Sequence, residues 1–250
     1  MYYRRAGDHE RAEATLRLAR QHPHASTKYD RVDQTPLVFF PGLTSRPFWP
    51  SRHFAAVCAL EEAFADPSTR AAIDAELTTL IASGRLQRMM SPFSPLDPGS
   101  EEADAAAEGA WSEFALYDGE KWNEAACAAV PLLSGLMRAP EVAAEICQAP
   151  VAADVPNVCG TNVVVTVLRL AAGATILPHC GVTNRRLIMQ FALRGSEGVT
   201  FTVGGEARGY GGDGHGIVFD DSFEHEVEHR GEEDRYVLFA ILKHPDVAGE

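Results

Sequence analysis

Residues Arg186–Phe219 read RLIMQFALRGSEGVTFTVGGEARGYGGDGHGIVF. Three short runs rich in β-branched and aromatic residues stand out: Arg186–Leu193, Gly198–Val203 and Gly216–Phe219. Glycine turns at Gly195, Gly204–Gly205 and Gly211–Gly212 separate them. Such side chains suit a pleated surface, and glycine supplies the corners between strands. The texture continues on both sides. Thr161–Leu170 (TNVVVTVLRL) and the turn at Gly173 precede it, and Asp234–Leu242 follows. Many short strands joined by glycine turns predict a sandwich or a barrel.

Upstream the periodicity is helical. Gly7–His22 carries Ala12, Leu16 and Leu18/Ala19 at helical spacing, and Ser51–Ala65 and Pro67–Ser83 repeat the pattern. Asp66 and Pro67 supply an N-cap and a first-turn proline. Glu124–Met137 and Pro140–Cys147 read as two further short helices. Pro92–Gly109 is rich in proline, serine and acid and reads as an exposed loop. The expected organisation is a helical segment over 1–34, then a functional domain over 35–250 with a helical part (35–155) and a β core (156–246). The fold class is α+β, with helices flanking a β core.

Composition removes several function classes. The net charge of −13 repels phosphate backbones, so nucleic acid is not expected as a partner. No apolar run is long enough to span a bilayer. The opening MYYRRAGDHERAEA lacks the apolar stretch of a secretory signal, which leads us to expect a cytoplasmic protein. The cysteines, Cys58, Cys127, Cys147, Cys159 and Cys180, are odd in number and form no C-x-x-C pair. Free thiols are the expectation.

Three features of the β half carry chemistry. Pro178-His179-Cys180-Gly181 closes a strand-like run. Asp220-Asp221-Ser222-Phe223-Glu224-His225-Glu226-Val227 follows the run GIVF. Arg235 opens the run RYVLFAIL. A lone strand-end histidine is a weak signal, but two on facing strands can meet at the mouth of a barrel. Imidazole suits ferrous iron, and oxygenase sites leave coordination positions open. An arginine on the next strand can grip a dicarboxylate in the same cavity. The usual iron triad is His-x-Asp/Glu…His, and here its carboxylate position is Gly181. Asp220 and Asp221 can orient the imidazoles or cap the turn before His225. Glu224 and Glu226 face away from His225 by alternation. His215 and His229 read as solvated loop residues. Phe48 and Trp49 suit either a substrate mouth or the core.

These stretches resemble the aspartyl/asparaginyl β-hydroxylase family. The resemblance runs colinearly over residues 35–246. It rests on Phe39-Phe40-Pro41-Gly42-Leu43, Arg46-Pro47-Phe48-Trp49, Trp111-Ser112-Glu113-Phe114, Asn123-Glu124-Ala125-Ala126-Cys127, Pro178-His179-Cys180-Gly181-Val182-Thr183-Asn184 and Arg186-Leu187. Its most specific part is Ile217-Val218-Phe219-Asp220-Asp221-Ser222-Phe223-Glu224-His225-Glu226-Val227, followed by Arg235 and His244-Pro245. The resemblance implies a double-stranded β-helix, a jelly-roll or cupin-like core. It also implies Fe(II), 2-oxoglutarate, O₂, and hydroxylation of an Asp or Asn side chain or a related small molecule. His179 and His225 become the iron ligands, and Gly181 matches a family glycine at the carboxylate position. Arg235 becomes the anchor of the distal carboxylate of 2-oxoglutarate, with Trp111 lining its pocket. Arg186 matches the first of two substrate-gripping arginines, and Asn184 lies within reach of a peptide or small-molecule substrate.

The departures fall around the substrate. The second arginine is Ile188, a histidine near the co-substrate is Gln190, and a serine that helps hold the distal carboxylate is Leu168. The partner of Cys127 in a family disulfide is Ser134. The iron positions are kept while the substrate positions differ. This leaves open a changed substrate, a non-catalytic module that binds an acidic ligand, or a cupin-type metalloenzyme that uses no 2-oxoglutarate.

Overall fold

The structure, a computed structural model, describes residues 8–21, 29, 31–82, 91–92, 110–148 and 163–247. The acidic loop read over Pro92–Gly109 lies almost wholly outside them. Helix α1 is His9–Gln21, begun by Asp8, whose side chain accepts from the Arg11 amide at 3.1 Å. It buries Ala12 and leaves Leu18 68% exposed, so its apolar contribution is thin. Strand β1 (Phe48–Trp49) precedes α2 (Ala55–Ala65) and α3 (Pro67–Ala82). Helix α2 turns Ala56, Val57, Leu60 and Phe64 inward, and α3 turns Ile73, Leu77 and Leu80. Asp66 caps α3 as expected, accepting from the Thr69 amide at 3.0 Å. The Ser68 and Thr69 donors pull its carboxyl down to about 2.

Strand β2 is Ser91–Pro92 and β3 is Trp111–Tyr117. The single helix expected over Glu124–Met137 is two, α4 (Glu124–Cys127) and α5 (Pro131–Arg138), followed by α6 (Pro140–Ala143). Pro131 and Pro140 each lack an amide hydrogen, so each opens a new helix at its first turn. Carboxylates from elsewhere in the helical layer satisfy the amides at the starts of α2 and α5. Glu145 accepts from Ala55 and Ala56 at 3.0 and 2.8 Å, and Glu76 from Leu132 at 2.8 Å.

The remaining strands are β4 (Val165–Leu170), β5 (Thr175–His179), β6 (Arg186–Arg194), β7 (Val199–Val203), β8 (Glu206–Arg208), β9 (Gly216–Phe219), β10 (His225–His229) and β11 (Arg235–Lys243). They form two antiparallel sheets, one of seven strands in the order β1-β9-β6-β11-β4-β3-β2 and one of four in the order β5-β10-β7-β8. This is a jelly-roll core with flanking helices. Strands β1 and β3 come from the part of the chain that reads helical. The stretch WSEFALY is short and its apolar residues do not alternate cleanly, so β3 is visible only through its pairing with β4. No helix of the described residues is long and apolar enough to cross a membrane. Cys58, Cys127 and Cys180 are free thiols, whereas Cys147 is disulfide-bonded, contrary to the all-thiol expectation. Ser134 donates to the Cys127 carbonyl at 3.3 Å, so a hydrogen bond joins the two positions of the family disulfide.

The helices cover one face of the larger sheet and leave its other face to the smaller sheet. The Phe64 ring of α2 stacks on Phe191 of β6 with centroids 5.3 Å apart. Gly216 gives Phe191 room, since a Cβ there would lie 2.6 Å from its Cζ. Phe191→Ala is expected to cost about 3–5 kcal/mol, the usual range for a fully buried ring. Urea unfolding would show this as a lower midpoint with an unchanged slope.

Candidate active site

Strands β5 and β10 pair so that His225 stands directly opposite His179. Residues facing each other across an antiparallel pair share a face of the sheet, so the two imidazoles meet with centroids 4.2 Å apart. The Nδ1 of His179 lies 2.8 Å from the Leu177 carbonyl, and that of His225 lies 2.9 Å from the Phe223 carbonyl. A carbonyl only accepts, so each Nδ1 carries a hydrogen, and in the neutral ring the lone pair is then on Nε2. Both rings are buried. Burial, and next the neighbouring His179, hold the His225 pKa well below the usual imidazole range. His225 therefore presents a neutral nitrogen donor, with the His179 ring facing it. Metal–imidazole bonds are about 2 Å long, so rings at this spacing can share one ion.

The third side of the site belongs to Asp221. A Cβ at Gly181 would lie 2.2 Å from Asp221 Oδ2, so no side chain fits there. Asp221 is in turn gripped by Arg186, whose Nη2 and Nε donate to Oδ2 at 2.5 and 3.1 Å. Both side chains are 4% exposed. Among the described residues no group of three or more His, Cys, Asp or Glu side chains is placed to hold a metal. The donor set is thus two imidazoles with a carboxylate beside them. It fits an ion that keeps several positions for small ligands.

Asp220 has a separate task. Its Oδ1 accepts from the Ser222 amide at 3.0 Å and from the Ser222 hydroxyl, and its Oδ2 accepts from Gln34 at 3.4 Å. It caps the turn before β10. Burial, with a further push from Asp221, drives its carboxyl up to about 8.

A second polar cluster lies on the inner face of the larger sheet. Arg235, the first residue of β11, is in register with Leu170, which is in register with Trp111. The half-buried Trp111 ring lies 6.3 Å from the His179 ring, which ties this row to the imidazole pair. Arg235 Nη2 donates to Gln190 Oε1 at 2.9 Å and to the Tyr210 hydroxyl. The guanidinium sits 4.9 Å from the centre of the Tyr210 ring. The Arg235 Nε is buried and has no hydrogen-bond partner among the described residues. A buried cation with an unmet donor is costly, and a carboxylate would satisfy it. The residues present therefore fit a dicarboxylate as well as a metal.

The other positions divide. Asn184 spends its side chain on the backbone of Phe40, accepting from its amide and donating to its carbonyl, each at 2.8 Å. It fastens the strap over 38–40. Ile188 is 1% exposed and in register with Phe219, and Leu168 is 3% exposed. Phe48 and Trp49 are buried in the core. His229 corrects the expectation of a solvated loop residue. It is 2% exposed on β10, with Nε2 donating to the Glu233 carbonyl at 2.7 Å and Nδ1 accepting from the Gly231 amide at 3.2 Å. The charged alternation HEVEH hid this strand, whose residues 225, 227 and 229 point inward. Sequence reasoning also missed Tyr210. Its only mark was being the one aromatic residue in the run RGYGGDGHG.

Residues 70–245 match the family model described as Aspartyl/Asparaginyl beta-hydroxylase. The mouse Aspartate beta-hydroxylase domain-containing protein 1 is 39% identical over 83 residues, which is 32% of this chain and 23% of that protein. The human Aspartyl/asparaginyl beta-hydroxylase is 28% identical over 151 residues, 59% of this chain and 18% of that protein. The chain thus spans about a fifth of the length of these relatives. Among solved structures, it is similar to a Trichoplax adhaerens prolyl hydroxylase in complex with a hypoxia inducible factor peptide fragment. The TM-score is 0.45 at 14% identity, over 74% of this chain and 82% of that one. A Pseudomonas putida prolyl-4-hydroxylase gives 0.38 at 11%, over 74% and 98%.

Asp221→Asn removes the counter-ion from a buried guanidinium and is expected to destabilise the fold by about 3–5 kcal/mol, read by chemical denaturation. Asp220 carries a pH signature. Its folded pKa, about 8, lies above that of a free carboxyl, so the folded state holds a proton that the unfolded state releases. Its contribution to stability is present below about pH 4 and is lost as the pH rises towards 8. Asp220→Asn should flatten this slope in urea midpoints measured across that range.

Proposed function

The chain belongs to the aspartyl/asparaginyl beta-hydroxylase family, and from that premise we propose that it is an Fe(II)- and 2-oxoglutarate-dependent dioxygenase that hydroxylates a peptide or small molecule. The observation that carries this reading is the His179–His225 pair, two buried imidazoles facing each other across β5 and β10, each with its Nδ1 against a backbone carbonyl. The Arg235 Nε on the facing sheet, buried and without a hydrogen-bond partner among the described residues, supports it.

In this reading His179 and His225 hold the iron. Bound iron and 2-oxoglutarate together supply the oxidising power to place one oxygen atom of O₂ on an unactivated carbon. The carbonyls of Leu177 and Phe223 hold the rings in the tautomer that leaves Nε2 available. Asp221, standing over Gly181, fills the space a side chain at 181 would take and would lend the site a carboxylate. Arg235 anchors the far carboxylate, and Trp111 walls the space between the two clusters. Burial of His179, His225, Asp221 and Arg235 keeps water from competing.

The substrate side differs from an acid-gripping site. Arg186 is paired with Asp221, and the position after next is the apolar Ile188. Arg186 thus serves to seat Asp221, and the substrate is an amide-bearing or otherwise altered relative of an aspartyl side chain. The same two positions support a second reading, a metal-binding module that recognises a ligand without turnover.

Anaerobic addition of Fe(II) and then 2-oxoglutarate should give a weak visible charge-transfer band, and admitting O₂ should yield succinate. His225→Ala should lower Fe(II) affinity by more than the roughly 10–100-fold that loss of a supporting partner costs, and abolish the band. A band without succinate would favour the binding module. Oxygen uptake without succinate would point to a metalloenzyme that uses no 2-oxoglutarate.

A further inference from the structure

Tyr210 enters the roll from the loop between β8 and β9, not from a strand. Three glycines with positive φ, Gly211, Gly212 and Gly214 at 78°, 119° and 87°, let this loop turn back on itself. Two backbone bonds then pin it to β6: the Gly214 amide donates to the Ala192 carbonyl at 2.6 Å, and the Ala192 amide to the His215 carbonyl at 3.1 Å. The phenol is 5% exposed. Burial pushes its pKa up, so it remains a neutral donor. Its hydroxyl donates to Gln190 Oε1 and accepts from Arg235.

The cluster has more donors than acceptors. Arg235 brings five N–H groups and Tyr210 an O–H. They meet the Gln190 carbonyl oxygen and the phenol oxygen, and the Arg235 Nε meets nothing among the described residues. A carboxylate, with about four acceptor sites, balances that surplus. On the neighbouring strand β4, where a hydroxyl would complete such a pocket, stands Leu168. It is 3% exposed and has nothing to donate.

We infer that Tyr210 binds the distal carboxylate of the co-substrate together with Arg235, its phenol hydroxyl supplying from the glycine-rich loop the donor that Leu168 lacks on β4. The inference rests on the 2-oxoglutarate reading of the site and names a residue which that reading does not. The Gln190 carbonyl serves as placeholder acceptor, and the hydroxyl swings from it to the incoming anion. Since the loop is pinned to β6, the donor is positioned before the ligand arrives.

The test is a titration of the anaerobic Fe(II)-loaded protein, followed by its charge-transfer band. The ligands are 2-oxoglutarate and 2-oxopentanoate, which keeps the chelating 2-oxo acid but lacks the distal carboxylate. Tyr210→Phe should raise the Kd for 2-oxoglutarate about tenfold or more, the loss expected for a hydrogen bond to a charged group, and leave that for 2-oxopentanoate within twofold. An unchanged Kd for 2-oxoglutarate overturns the inference while the oxygenase reading stands. Equal weakening of both ligands also overturns it, since that is the mark of a packing role. Failure of the unaltered protein to bind 2-oxoglutarate removes both readings. Should Tyr210→Phe not fold, 3-fluorotyrosine placed at position 210 keeps ring and hydroxyl. In the Zn(II)-loaded protein its fluorine resonance should move with 2-oxoglutarate and stay with 2-oxopentanoate. A resonance indifferent to 2-oxoglutarate overturns the inference.

Discussion

The antiparallel register of Thr175–His179 against His225–His229 places His225 opposite His179, and the arrangement of the site depends on it. A strand shifted by one residue turns every side chain to the other face. Such a slip would put Glu224 or Glu226 inward and the His225 ring outward. The register is held from both sides, because β10 also pairs residue by residue with β7, from His225–Val203 to His229–Val199. The turn before β10 is fastened by Asp220, Ser222 and Gln34, all buried. The strand end that carries His179 is fastened by the Gly181 amide, which donates to the Asp221 carbonyl at 2.6 Å.

Charge burial explains why the neighbouring residues take the forms they do. A carboxylate in the roll needs a cation, and Arg186 provides it for Asp221. That pairing requires a glycine at 181, since any larger residue would overlap the Asp221 carboxylate. Gly181 and Asp221 are therefore one feature: the carboxylate is delivered from the turn before β10 instead of from the strand end. Arg235 is the complementary case. Its guanidinium is buried against Gln190 and Tyr210, and among the described residues it has no carboxylate partner and its Nε no hydrogen-bond partner. One arginine is satisfied within the fold, and the other keeps an unmet donor among the described residues.

Much of this was legible in the sequence, and the failures have physical causes. The runs VTVLRL, RLIMQFAL and RYVLFAIL are β-branched and apolar because both faces of the larger sheet are covered, and they were read correctly. The HEVEH strand was not, because its inward positions are histidines and its outward ones are glutamates. No hydrophobicity pattern reports a strand whose buried face is built for chemistry. Trp111–Tyr117 was missed because its partner β4 lies far along the chain. His179, His225 and Arg235 were singled out through motif and resemblance, and the fold sets the two histidines opposite each other. Tyr210 was invisible to both, since it reaches the cluster through a glycine loop whose path only three dimensions reveal. Asn184 was placed near a substrate by resemblance, yet its amide is used on the backbone of Phe40.

The central claim is that one ion bridges two imidazoles from opposite sides of a strand pair. X-ray absorption on the Fe(II)-loaded chain counts imidazole ligands directly. The account predicts two per iron in the unaltered protein and one in His179→Ala. A count of one or none in the unaltered protein would contradict it.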